Sequence, residues 1–202
     1  MMKGIAQKES ASILRYFEKI CSIPHGSGNM KALRDHCVQF AKENGLQVVS
    51  DEAENVVIYK PGTKGYENAE PIILQGHLDM VCQKEETSSI DFTKDGIEAY
   101  IDGDFIKAKG TTLGADNGIA VSMIMAILAS RDLPHPPIEA VFTTDEEIGM
   151  IGAQKLDVSI LKSKKMINLD AEEADILTVS CAGGSDFRPL FPIDKTVVHG
   201  TK

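Results

Sequence analysis

Nowhere does the chain carry the roughly 20 uninterrupted apolar residues that a membrane-spanning helix needs, so no span is expected. Basic residues are also scarce. Lys and Arg number 21 against 30 Asp and Glu, giving a net charge of −9 and a pI near 5.0. That balance excludes binding to a nucleic-acid phosphate backbone, which needs clustered cations. The opening Met-Met-Lys-Gly-Ile-Ala-Gln-Lys-Glu-Ser lacks the apolar stretch of a secretory signal, and a cytoplasmic protein is expected. Cysteine is limited to Cys21, Cys37, Cys82 and Cys181, with no Cys-x-x-Cys spacing, so free thiols are expected rather than disulfides or thiolate metal sites. Internal repeats, low-complexity tracts and flexible linkers are lacking too.

What remains is ordinary for a globular chain. Apolar residues make up 43% and charged residues 25% of 202 positions, enough to bury one core or one large domain with a small appendage. From Ser10, residues Ile13, Leu14, Phe17, Ile20 and Cys21 share a helical face, and Pro24 stops the run. A second helix from about Gly28 carries Met30, Leu33, Cys37, Phe40 and Ala41, with Gly45 suited to its C-terminal cap. Strands are expected at 46–50, 55–60, 71–78, 138–144, 166–169 and 176–181, with another beginning within 186–193. A hairpin is expected around Asp102-Gly103, and residues 84–95 read as loop. Residues 117–130 form a strongly apolar helix, too short for a membrane and therefore sandwiched inside the fold. A short helix is expected near 152–156. Alternating helices and buried strands predict an α/β fold, with a mixed, mostly parallel sheet flanked by helices.

In such sheets ligand sites gather beyond the carboxyl ends of the strands. His77, Asp79, Glu146, Glu147 and Asp170 all stand at such predicted ends, and Asp116 lies in a small-residue segment before a helix. Adjacent Glu146 and Glu147 point in different directions, so one can ligate a metal while the other faces a substrate as a base. His77 and Asp79, two apart on an extended backbone, project to the same side. There a carboxylate can fix the tautomer of a ligating imidazole. Each has an ordinary alternative: a polar strand end for His77, Asp79 and Asp170, a helix N-cap for Asp116, a solvated acidic turn for Glu146-Glu147. Together, five carboxylates at one sheet edge repel unless cations compensate. One histidine among oxygen donors suits zinc, cobalt or manganese. His25, His36, His135 and His199 read as ordinary surface or loop histidines, and Gly183-Gly184 as a turn.

In order along the chain stand His77-Leu-Asp79-Met-Val, Gly110-Thr-Thr-Leu-Gly-Ala-Asp116-Asn-Gly118, Thr144-Asp-Glu146-Glu147-Ile-Gly149, Asn168-Leu-Asp170 and Cys181-Ala-Gly-Gly184. This set resembles the aminoacyl-histidine dipeptidases (Xaa-His dipeptidases, carnosinase-like), a branch of the di-zinc exopeptidases, from Ile20-Cys-Ser-Ile-Pro24 onward. The resemblance implies a zinc exopeptidase-like catalytic domain that hydrolyses small peptides with two Zn2+ ions, Co2+ or Mn2+ being alternatives. It implies that His77 and Asp170 ligate one ion, Glu147 the other, and Asp116 both, with a cis Asp116–Asn117 peptide. Glu146 is then the general base, and Asp79 orients His77.

The same resemblance implies a longer protein. Residues 1–185 would be the N-terminal part of the catalytic domain and 186–202 the start of a lid domain or its connecting strand. A later segment would return with a final histidine ligand, a role His199 does not match by context, and a homodimer is implied for the complete enzyme. Two other readings stand beside the dipeptidase: a non-catalytic metal-binding fragment that needs a complementary chain, and a related aminopeptidase or deacylase.

Overall fold

The computed structural model of the protein describes residues 11–171, 173, 175–180, 183 and 187–193. It divides into two units, Met1–Asp170 and Ala171–Lys202. The first holds α1 (Ala11–Cys21), α2 (Lys31–Glu43), β1 (Gln47–Ser50), β2 (Val56–Lys60), β3 (Ile72–His77), β4 (Ala99–Asp102), β5 (Phe105–Ala108), α3 (Ala115–Ala129), β6 (Ile138–Thr143), α4 (Ile151–Lys155), a 3-10 turn (Val158–Ile160) and β7 (Met166–Asn168).

The helices form where the apolar spacing places them. In α1, Phe17, Ile20 and Cys21 are buried, and in α2 Leu33, Cys37, Phe40 and Ala41. The second helix ends on Gly45, whose φ of +67° is open to glycine without the Cβ penalty. The Gly45 N–H donates to the Lys42 carbonyl and the Leu46 N–H to that of Ala41, so the last carbonyls are satisfied and Leu46 turns into the core. Helix α3 is apolar all round because it packs on both β3 and α1.

The main sheet runs β1-β2-β6-β3-β7, and β4 and β5 form a separate hairpin. Strands β1 and β2, and β2 and β6, pair antiparallel; β6 and β3, and β3 and β7, pair parallel. The mixed α/β sheet flanked by helices is therefore present, its parallel part confined to β6, β3 and β7. Alternation divides its faces. Val56, Ile58, Leu74, Ile138, Ala140 and Phe142 join the cluster under the three long helices. Val57, Ile73 and Val141 face the other way, packed by Leu156, Ile160 and Leu161. Each fully buried aliphatic or aromatic side chain contributes about 1.5–3 kcal/mol.

Several expectations are corrected. The hairpin turn is Gly103-Asp104, since Asp102 pairs with Phe105. No strand forms over residues 176–180, where Leu177 and Val179 are 91% and 94% exposed; apolar alternation without a partner ladder does not make a strand. Residues 187–193 carry none either, and Cys181, Gly184, Asp186 and His199 lie outside the described residues. His25 and His135 sit in loops but are buried, each with Nδ1 against a nearby carbonyl (Ile23 and Pro136), and His36 is a half-buried residue of α2. Cys21, Cys37 and Cys82 are free, and burial pushes the thiols of Cys21 and Cys37 up to about 12. Among the described residues no helix is long and apolar enough to cross a membrane.

Candidate metal centre

Parallel pairing of β6, β3 and β7 brings three strand ends to one edge of the sheet. His77 closes β3, and the Leu78 N–H donates to Thr143 at the end of β6. Beyond β6 the chain turns so that the N–H groups of Gly149 and Met150 both donate to the Glu146 carbonyl at 2.9 Å. Beyond β7, the Asp170 N–H donates to Asn168 Oδ1 at 3.0 Å. Asp116 arrives separately, at the first turn of α3, where the Asp116–Asn117 peptide is cis.

Six candidate residues from four elements thus converge. His77 Nε2 stands 3.0 Å from Asp116 Oδ1 and 3.8 Å from Asp170 Oδ2. His77, Asp116 and Glu147 offer donor atoms within 4.8 Å of one another, and so do His77, Glu146 and Asp170. These two triples share the imidazole and differ from the implied ligand sets, which left Glu146 out.

On its other side the His77 Nδ1–H donates to the Asp79 carbonyl at 3.0 Å and lies 3.4 Å from its Oδ1. Asp79 does more than face the imidazole. Its Oδ1 accepts from the Glu146 N–H at 2.9 Å, and its Oδ2 from the Glu147 N–H at 3.2 Å and the Ser27 hydroxyl at 2.8 Å. One buried carboxylate ties β3, the turn after β6 and the loop after α1 together.

Burial alone would lower the His77 pKa. The Asp79 hydrogen bond and the charges of Asp170, Asp79 and Asp116 outweigh it and raise it to about 9. For Asp79 burial opposes ionisation, but His77, the Glu146 N–H and Ser27 win and hold it near 2. Glu146 is raised by burial and then by Asp170, Asp79 and Asp116, with His77 opposing. Glu147 is raised by burial and by Asp116 and Glu146, again against His77. The acids of this cluster repel one another around one imidazole, a field that favours cations. Oxygen donors with a single imidazole nitrogen fit hard or borderline divalent ions and exclude a thiolate site. Asp116 is 70% exposed at its side chain, so the cluster opens to solvent. Beside it lies a cavity of about 270 Å³, bounded by Met80, Val81, Leu113, Ala115, Asp116 and Glu147.

Sequence reasoning missed Ser27, Asn117 and Asp145, whose Oδ1 accepts from the Gly28 N–H at 2.7 Å. Only their nearness to the recognised motifs, Asn117 next to Asp116 and Asp145 next to Glu146, was a signal.

Strand-end carboxylates about one imidazole, on a mixed α/β sheet, form a donor set that can hold divalent ions. The model of peptidase family M20/M25/M40 matches residues 73–187, and the chain belongs to that family. It is 44% identical to the cytosol non-specific dipeptidase of Escherichia coli over 98% of its own length and 41% of that protein's. Aminoacylhistidine dipeptidase from Vibrio alginolyticus aligns in structure with a TM-score of 0.82 and 46% identity, over 85% of this chain and 35% of that one. A tripeptidase from Staphylococcus aureus shares the fold at 24% identity, with a TM-score of 0.69 over 82% of this chain and 44% of the other. The chain thus spans 41% and 35% of the lengths of the first two of these relatives.

Proposed function

We propose that this chain supplies most of the active centre of a dipeptidase that uses two divalent ions, zinc foremost, and cleaves Xaa-His and related dipeptides. The observation that carries the reading is the convergence of His77, Asp116, Glu146, Glu147 and Asp170 at the ends of β3, β6 and β7 and the start of α3. His77, Asp116, Glu147 and Asp170 are the proposed ligands, Glu146 the general base, and Asp79 the residue that orients His77. The names of the relatives from Escherichia coli and Vibrio alginolyticus favour a dipeptide substrate, the first without side-chain preference.

The chemistry supplied by bound divalent ions is polarisation of the peptide carbonyl and acidification of water. The protein does the rest. Glu146, its backbone pinned on Asp79, takes a proton from the attacking water and returns it to the leaving amine as the C–N bond breaks. Asp79 keeps the Nδ1 edge of His77 engaged, which leaves Nε2 facing the acids. The cavity beside Glu147 and Asp116 offers Met80, Val81 and Leu113 to a substrate side chain. The cytoplasm is the proposed location and a homodimer the proposed assembly of the complete enzyme, with 186–202 leading toward a further domain.

The test is hydrolysis of a Xaa-His dipeptide set beside other dipeptides, with and without chelator. Turnover lost with chelator and restored by zinc, cobalt or manganese supports the reading; turnover indifferent to chelator overturns it. A second reading, metal binding without turnover until a complementary chain is added, is favoured by the two-fifths coverage of the relatives. It predicts activity that appears only on mixing.

A further inference from the structure

Asn117 follows Asp116 in the chain, and it also touches two other proposed ligands. Its Oδ1 accepts the His77 backbone N–H at 3.1 Å, and its Nδ2 donates to Asp170 Oδ1 at 3.0 Å and to the Leu169 carbonyl at 3.3 Å. The residue is 3% exposed, so no water competes for these contacts. Space for it is made by Gly76: a Cβ there would stand 2.6 Å from Asn117 Oδ1, closer than side chains tolerate. The amide therefore spans the gap between the end of β3 and the end of β7.

The contact to Asp170 is selective. It engages Oδ1, while Oδ2 of the same carboxylate faces His77 Nε2 at 3.8 Å. A carboxylate with one oxygen bound to an amide N–H presents the other to a cation. An Asn side chain suits this position because it accepts at one end and donates at the other. Neither Asp nor Leu, its nearest isosteres, does both.

We infer that Asn117 is a positioning residue of the metal centre, fixing the distance between His77 and Asp170 and making Asp170 a single-oxygen ligand through Oδ2. The inference rests on the metal-centre reading above. Outer-shell partners of metal ligands contribute about 10–100-fold in metal affinity. The ion held by His77 and Asp170 accordingly binds that much more weakly when the amide is removed, and the ion held by Glu147 changes less.

The experiment is calorimetric titration of Zn2+ alone into metal-free wild-type protein, Asn117→Ala and Asn117→Ser, paired with thermal melts with and without Zn2+. The expected result is one of two sites weakened by about 10–100-fold in Asn117→Ala. Asn117→Ser, whose hydroxyl keeps one of the hydrogen bonds, should fall between. The zinc-induced rise in Tm should shrink with affinity, since ligand stabilisation follows the ratio of concentration to Kd. A merely structural Asn117 would lower Tm equally with and without Zn2+ and leave both affinities intact, which overturns the inference. If Asn117→Ala does not fold, Asn117→Ser decides alone: unchanged zinc affinity overturns, a selective loss at one site supports. Failure of the wild type to bind Zn2+ would instead sink the metal-centre reading itself.

Discussion

At the end of β3, His77 and Asp79 have 1% and 0% of their side-chain surface exposed, and the polar atoms of both are engaged by protein. At the turn after β6, Glu146 and Glu147 are only half-buried. Their backbone N–H groups are pinned on Asp79, while among the described residues neither carboxylate accepts a hydrogen bond that would lock its rotamer. The two regions are held by the same aspartate yet built to different tolerances. A ligand imidazole benefits from a fixed ring, because metal bonds demand geometry. A base that must collect a proton from water and deliver it to an amine benefits from a fixed Cα and a carboxylate able to swing. Under the proposed roles, one buried carboxylate serves both needs by binding the imidazole on one side and only the backbone of the glutamates on the other.

The largest test of that contrast is Glu146→Gln. It should lower kcat by about 10²–10⁴, the usual contribution of a positioned general base, while zinc content measured by elemental analysis stays at the wild-type level. Loss of zinc in parallel with activity would make Glu146 a ligand, as its proximity to His77 and Asp170 allows, and would erase the division of labour. Its neighbour should behave in the opposite way. Glu147→Gln removes a proposed ligand, so one zinc should weaken by at least about 10–100-fold, the amount an outer-shell partner alone supplies. Excess Zn2+ in the assay should then recover activity for Glu147→Gln and not for Glu146→Gln.

Asp79→Asn sharpens the comparison from the middle. The amide keeps the shape but turns one acceptor into a donor facing N–H groups, so either the Glu146 turn or the Ser27 loop loses its anchor. Hydrogen bonds to a charged group are worth about 1.5–3 kcal/mol, and a fall in unfolding free energy of that order is expected by urea titration. Zinc affinity should fall by at most about 10–100-fold, because the carboxylate charge beside His77 is lost while the Asp79 backbone carbonyl still accepts its Nδ1–H. Stability unchanged by this variant would show that Asp79 is not the shared anchor.

Much of this was legible in the residues alone. The apolar run ending in His77 is a buried parallel strand, and Ile138 to Thr143 is buried at every position, Glu139 included because the Lys162 and Ser163 N–H groups donate to its carboxylate. The uniformly apolar α3 is a sandwiched helix. The ligand candidates were visible because each ends a strand or opens a helix. What was not visible joins distant segments. Asp79 reaches Glu146 across 67 positions, and Asn117 reaches Asp170 across 53. Such contacts follow from how parallel strands align at their ends, which local pattern does not encode. Buried His25 was missed because an imidazole reads as polar until its Nδ1–H finds the Ile23 carbonyl at 2.6 Å. Residues 176–180 show the converse, since an apolar pattern there meets no partner strand.

The smallest expected effect concerns the scaffold that carries the rigid region. His25, whose loop is bridged to the chain beside Asp79, has its pKa lowered first by burial, with the Ile23 hydrogen bond and the Asp79 charge opposing. His36 on α2 is lowered by burial and by Lys19, against Glu43. Both have a buried Nε2 with no partner among the described residues, so protonation would place an unsatisfied charge inside the protein. The sign follows from linkage. Between the lowered folded value and the unfolded value near 6.5, the unfolded chain binds more protons, so stability rises with pH. The contribution is complete above about pH 6.5 and is lost as the pH falls through the folded values. Urea midpoints should therefore decline modestly from about pH 7 to about pH 5, and His36→Gln should flatten part of that slope without changing kcat. If the slope survives both that variant and His25→Gln, the acid sensitivity arises outside these two histidines and outside the rigid end of β3, because over this range Asp79, held near 2, keeps its charge and His77, raised to about 9, already carries its proton.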